Sequence, residues 1–116
     1  MPSSIVFFRA GNGESDVEEF LRSLNRKARD KCLAYIDKLR DPGPPLTRNY
    51  SASVRGRIWE LRPEWGGTEY RLLYARLFDG RFVILTAFKK DRQKLRERDV
   101  FRAEERLMEI EQRLRQ

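Results

Sequence analysis

The chain contains no histidine, a single cysteine and no long apolar run. Histidine is the commonest metal ligand and the usual general base near neutral pH, so its absence excludes Ser–His and Cys–His nucleophilic machinery. Any catalysis has to run on Arg, Lys, Tyr, Asp and Glu. A lone Cys32 permits no internal disulfide and no cysteine-rich zinc site. Neither a metal nor a cofactor is expected. No segment approaches the roughly 18 apolar residues needed to cross a bilayer, so no membrane span is expected. The stretch "MPSSIVFFRAGNGE" has neither the basic leader nor the apolar length of a secretory signal, and the chain reads as cytoplasmic.

What is present is enough apolar material for one modest core: 116 residues, 40 % of them hydrophobic, point to a single domain spanning 1–116. The charged share, 37 %, is high, but the apolar residues recur in periodic blocks that disordered segments lack. Net charge is +7, distributed as +2 over residues 1–54, +6 over 55–98 and −1 over 99–116. A positive excess concentrated in one segment is the electrostatic footprint of a polyphosphate partner.

"SIVFFR" (4–9) is short, β-branched and aromatic, and the Gly11-Asn12-Gly13 turn ends it, which predicts a first strand. Ser15 and Glu18 form a capping-box pattern ahead of Val17, Phe20, Leu21 and Leu24 at helical spacing. A second helical face carries Ala28, Cys32, Tyr35, Ile36 and Leu39, so Cys32 reads as a buried small hydrophobe. Pro42, Pro44 and Pro45 stop that helix, and "RDPGPPLTRNYSASVRG" reads as the longest loop. Three strands are predicted beyond it, at 57–63, 69–77 and 81–89, with Gly66-Gly67 and Asp79-Gly80 as their turns. From Asp99 onward, Val100, Ala103, Leu107, Ile110 and Leu114 recur by threes and fours, predicting an amphipathic helix that packs on its own sheet or forms a seam for a partner helix. The expected fold is α+β, in the order β-α-α-β-β-β-α. A small, mainly antiparallel four-stranded sheet carries an N-terminal helical hairpin and a C-terminal amphipathic helix.

Antiparallel neighbours run in opposite directions, so Arg62 at the end of one strand, Arg71 at the start of the next, and Lys89 and Lys90 at the end of the last share one end of the sheet. With Lys94 beyond, they form a cationic pocket suited to one phosphate and to the charge that develops on it during transfer. Glu60 is either an ion-pair partner of Arg71 or a proton acceptor. Arg57, Arg92 and Lys94 are further candidate nucleic-acid contacts, and Tyr70 and Tyr74 offer rings for a base or for the core. Strand alternation puts Lys89 and Lys90 on opposite faces if the strand reaches them, and sequence leaves open which one meets the phosphate.

The order of these pieces closely resembles the HigB-like, phage Gp49-related branch of the RelE/ParE toxin superfamily. The resemblance covers almost the whole chain and rests on Trp59-Glu60-Leu61-Arg62, on Gly67-x-x-Tyr70-Arg71-x-x-Tyr74, and on Phe88-Lys89-Lys90 followed by Lys94. It implies the toxin of a type II toxin–antitoxin pair that cleaves mRNA on the translating ribosome. In such enzymes the RNA's own 2′-hydroxyl attacks the adjacent phosphate without a metal. Carried over, Arg71 would stabilise the phosphorane, Lys89 and Lys90 would bind the phosphate or assist the leaving oxygen, and Arg62 would orient the scissile group. The implied partners are mRNA on the ribosome, ribosomal RNA and a cognate antitoxin, a small helix-turn-helix DNA-binding protein. The chain departs from some relatives by lacking both histidine and a tyrosine after the last strand, which leaves Glu60 as the candidate proton acceptor. The alternatives are a ParE-like inhibitor of DNA gyrase and a non-catalytic basic nucleic-acid-binding module.

Overall fold

Ser15 caps the first helix: its hydroxyl accepts the Glu18 amide at 3.2 Å, and α1 runs Asp16–Ser23. Asn25 repeats the device, accepting the Ala28 amide at 2.9 Å to start α2, Arg26–Asp37. These helices come from a computed structural model that describes residues 4–40, 50–90 and 97–115. Its strands are β1 (Ile5–Phe7), β2 (Ser51–Arg55), β3 (Ile58–Leu61), β4 (Glu64–Trp65), β5 (Thr68–Arg76) and β6 (Phe82–Lys90), followed by helix α3 (Glu97–Arg115). They form one sheet in the order β1-β6-β5-β3-β2, with β4 also paired to β5. β1 runs parallel to β6 and the other pairs are antiparallel.

The class is α+β, but the described sheet has six strands where four were expected. β2 lies inside the stretch that reads as loop. "SASVR" lacks the apolar density of a buried strand, and its pairing comes from β3 and from a 2.6 Å hydrogen bond between the Ser51 and Tyr74 hydroxyls. β4 is the continuation of β3 beyond Pro63. Proline donates no ladder hydrogen bond, so the strand is interrupted there, while the Pro63 carbonyl still accepts the Tyr70 amide at 2.8 Å. Gly66 and Gly67, at φ 59° and 80°, supply the two positive-φ positions of a two-residue hairpin turn. α3 begins at Glu97, two residues ahead of the predicted Asp99.

Helices cover both faces of the sheet. Leu61, Tyr70, Leu72, Tyr74 and Ile84 pack against Val17, Leu21, Ala28, Cys32 and Ile36 of α1 and α2. On the opposite face Ile58, Leu73, Ala75, Val83 and Leu85 pack beneath Ala103 and Leu107 of α3. The central β5 and β6 are therefore buried on both sides, which explains their near-continuous apolar runs. Burial pushes the Cys32 thiol up to about 11, leaving it a small packed hydrophobe as the helix periodicity predicts. Of the two readings of α3, packing on its own sheet holds. Three side-chain clamps add to its buried stripe: Arg55 to Glu97 and Glu104, Arg57 to Glu111, and Arg106 to Asp16. Among the described residues no helix is long and apolar enough to cross a membrane.

Candidate nucleic-acid site

The end of β3, the start of β5 and the end of β6 meet at one end of the sheet, as antiparallel order requires. Leu61 pairs with Leu72, Arg71 with Phe88, and Glu69 with Lys90. Between Leu73 and Tyr74 the ladder slips, because β6 contributes one extra residue around Leu85. A bulge of this kind reverses which side chains face which side. Val83 and Leu85 lie beneath α3; beyond the bulge it is Phe88 that joins them, and Ala87 joins the opposite cluster. Lys90 consequently shares the α3 face with Glu60, Glu69 and Arg71, and Lys89 stands exposed on the other face beside Tyr70. Without that extra residue the two lysines would exchange places.

Arg71 is the centre of the cluster and only 1 % exposed. Its Nη1 donates to the Tyr70 carbonyl at 2.8 Å and its Nη2 to Glu69 Oε1 at 3.0 Å. Its Nε lies 3.5 Å from Glu60 Oε2, while Glu60 Oε1 is 3.7 Å from Arg62 Nε. Glu60 thus bridges two guanidiniums. Both distances exceed a good hydrogen bond, and neither Glu60 Oε2 nor Arg71 Nε hydrogen-bonds to any described residue. A buried charged pair with unfilled hydrogen-bonding capacity is costly.

Sequence reasoning misses Glu69, although its i, i+2 spacing from Arg71 puts both on one strand face. The hydrogen bond from Arg71 holds its carboxyl below the usual carboxylate range against partial desolvation, and the charges of Arg71, Lys90 and Arg62 add to that effect. Three of the predicted phosphate-binding cations therefore act on one carboxylate. Glu69 is half exposed, whereas Arg71 is buried. Chemically the cluster is a set of cations gathered around the protein's own carboxylates.

Arg62, Arg71, Lys90 and Glu60 are brought together, and Lys89 borders them from the opposite face. Arg92 and Lys94 fall outside the described residues. Arg57 does not belong to the site: it lies at the far end of β3, where it grips both Glu111 oxygens at 2.7 Å, donates to the Arg76 carbonyl, and stacks over Phe78. Tyr70 and Tyr74 are not stacking platforms. They are 4 % and 6 % exposed, with Tyr70 edge-on to Phe20 and Tyr74 edge-on to Phe82. Alternation on β5 points both rings into the core beneath α1 and α2. No group of His, Cys, Asp and Glu suited to hold a metal ion occurs among the described residues.

The family described as phage-derived protein Gp49-like matches residues 19–108 of the chain. That match runs from within α1 through most of α3 and includes every residue of the Arg71 cluster. A search of curated proteins finds no match.

Proposed function

The chain belongs to the Gp49-like family, which lies within the RelE/HigB-like toxin superfamily and is associated with the toxins of toxin–antitoxin pairs, and from that premise we propose that it is an mRNA endonuclease acting on translating ribosomes. The observation that carries this reading is the Arg71 cluster: a fixed guanidinium, Lys90 on the same face, and a carboxylate oxygen of Glu60 with no hydrogen bond among the described residues.

In the proposed reaction the scissile phosphate displaces Glu69 from Arg71 Nη2. The RNA 2′-hydroxyl gives its proton to the Glu60 carboxylate as its oxygen bonds to phosphorus. The P–O5′ bond then breaks, the leaving oxygen takes a proton from Lys90, and a 2′,3′-cyclic phosphate remains. Charge developing on the phosphorane falls against Arg71, and stabilisation of that kind is often the largest single catalytic contribution. Arg62 holds Glu60 from its other side. No histidine is required. Family membership brings with it a cognate antitoxin, which we take to be a small helix-turn-helix protein.

The test is transcript integrity in a purified translation system, with the same RNA free of ribosomes as control. Cleavage confined to the translated transcript is the expected result. Intact transcripts alongside inhibited gyrase supercoiling would replace this reading with the ParE-like one, and intact transcripts with RNA binding would leave a non-catalytic module.

A further inference from the structure

A second cationic feature lies outside the Arg71 cluster, along the border of α2 and β4. Lys27, Lys31, Tyr35 and Lys38 fall at i, i+4, i+8 and i+11, so they share one stripe of the helix about 16 Å long at 1.5 Å per residue. Aromatic rings interleave with the amines. The Lys27 ammonium lies 5.8 Å from the centre of the Trp65 ring, Lys31 5.8 Å from that of Tyr35, and Lys38 4.3 Å from that of Tyr50. Tyr35 and Tyr50 meet edge to face at 5.2 Å. Trp65, at the tip of the β4–β5 hairpin, leaves 40 % of its surface in water, although a tryptophan serving only to tether the hairpin gains by being buried.

We infer that this stripe binds a single strand of RNA, with the lysines on its phosphates and Trp65 as a stacking platform for a base. Residues 26–38 hold five cations against Asp30 and Asp37, so the charge fits a polyanion. Rings interleaved with cations are what single strands use, because every unpaired base offers a π-face. A duplex keeps its bases stacked inside, and an acidic peptide brings charge without aromatic faces. Position adds to the argument: Trp65 pairs with Thr68 one step from the Glu64–Glu69 pair, so the stripe ends beside the Arg71 cluster. Lys89, exposed on the α1/α2 face, lies at that same end of the sheet. A strand whose phosphate sits on Arg71 can turn around the sheet end past Lys89 and run along α2; this last step rests on the nuclease reading, and binding by the stripe does not.

The chain has two tryptophans, so Trp59→Phe leaves Trp65 as the sole indole reporter. The full-length Trp59→Phe protein is titrated with an octauridylate, with an RNA duplex of equal length and with polyglutamate. The expected result is quenching of Trp65 by the single strand alone. In the Lys27→Gln/Lys31→Gln/Lys38→Gln variant, with an unchanged melting curve, affinity should fall and the slope of log K against log salt should shrink by about 2, at roughly 0.7 per phosphate contact. Absent quenching, equal quenching by duplex or polyglutamate, or an undiminished triple variant would overturn the inference. Quenching in a protein that never cleaves RNA keeps the stripe and removes the nuclease; cleavage without quenching does the reverse.

Discussion

Arg71→Lys should slow transcript cleavage by about 10²–10³-fold while leaving the fold in place, which is the typical loss when one transition-state donor is removed. Arginine presents a rigid fork that reaches Tyr70, Glu69 and Glu60 at once; an ammonium is a point charge and cannot reproduce that geometry. Lysine is the informative replacement because Arg71 is buried. Alanine would leave a void beside Glu60, and removing one partner of a buried pair costs about 3–5 kcal/mol, so lost activity in Arg71→Ala would mix chemistry with unfolding. Single-turnover cleavage rates, read beside thermal melts of both proteins, separate the two effects. A stable Arg71→Lys protein cutting at the parental rate would remove Arg71 from the mechanism.

The two carboxylates on Arg71 should respond in opposite directions. Glu60→Gln keeps shape and burial but removes the proton acceptor, and the expected loss in rate is about 10²–10⁴-fold. Glu69→Gln removes a competitor for the phosphate, so the affinity for a non-cleavable RNA should rise roughly three- to tenfold, with the larger gain at low salt. The pH dependence follows from the direction of the shift. Because the Arg71 hydrogen bond lowers the Glu69 carboxyl, the pair's stabilising contribution is complete above the ordinary carboxylate range. It is lost only as pH falls through that lowered value. At neutral pH Glu69 is therefore charged and competing, and its removal is felt there. Equal losses in both variants would mean that the carboxylates only brace Arg71.

Much of this arrangement is legible in the amino-acid sequence. Capping residues and three-and-four spacing locate the helices, since local hydrogen bonding and one buried stripe decide them. Strand polarity alone brings Arg62, Arg71 and Lys90 to one end of the sheet. Other features depend on tertiary detail with no local signal. β2 is polar and exists through its partner strand. The bulge at Leu85, which selects Lys90 over Lys89, interrupts a run of apolar residues that looks uniform in sequence. Arg57 reads as a nucleic-acid contact because its charge is visible, whereas its pairing with Glu111, far along the chain, is not. Tyr70 and Tyr74 sit on a strand covered on both faces, which a hairpin pattern does not reveal. The same double coverage hides Arg71, so a residue that reads as an open phosphate ligand is a buried one paired with two carboxylates.

The central claim is that Arg71 and Glu60 drive attack by the RNA's own 2′-hydroxyl, and the most direct measurement is the chemistry of the fragment ends. Transcripts cut in the purified translation system should carry a 2′,3′-cyclic phosphate or its opened 3′-phosphate on the upstream fragment, and a 5′-hydroxyl on the downstream one. Mass spectrometry of the gel-purified fragments reads both ends. A 3′-hydroxyl upstream with a 5′-phosphate downstream would mean that water, not the 2′-hydroxyl, is the nucleophile, and would contradict the account.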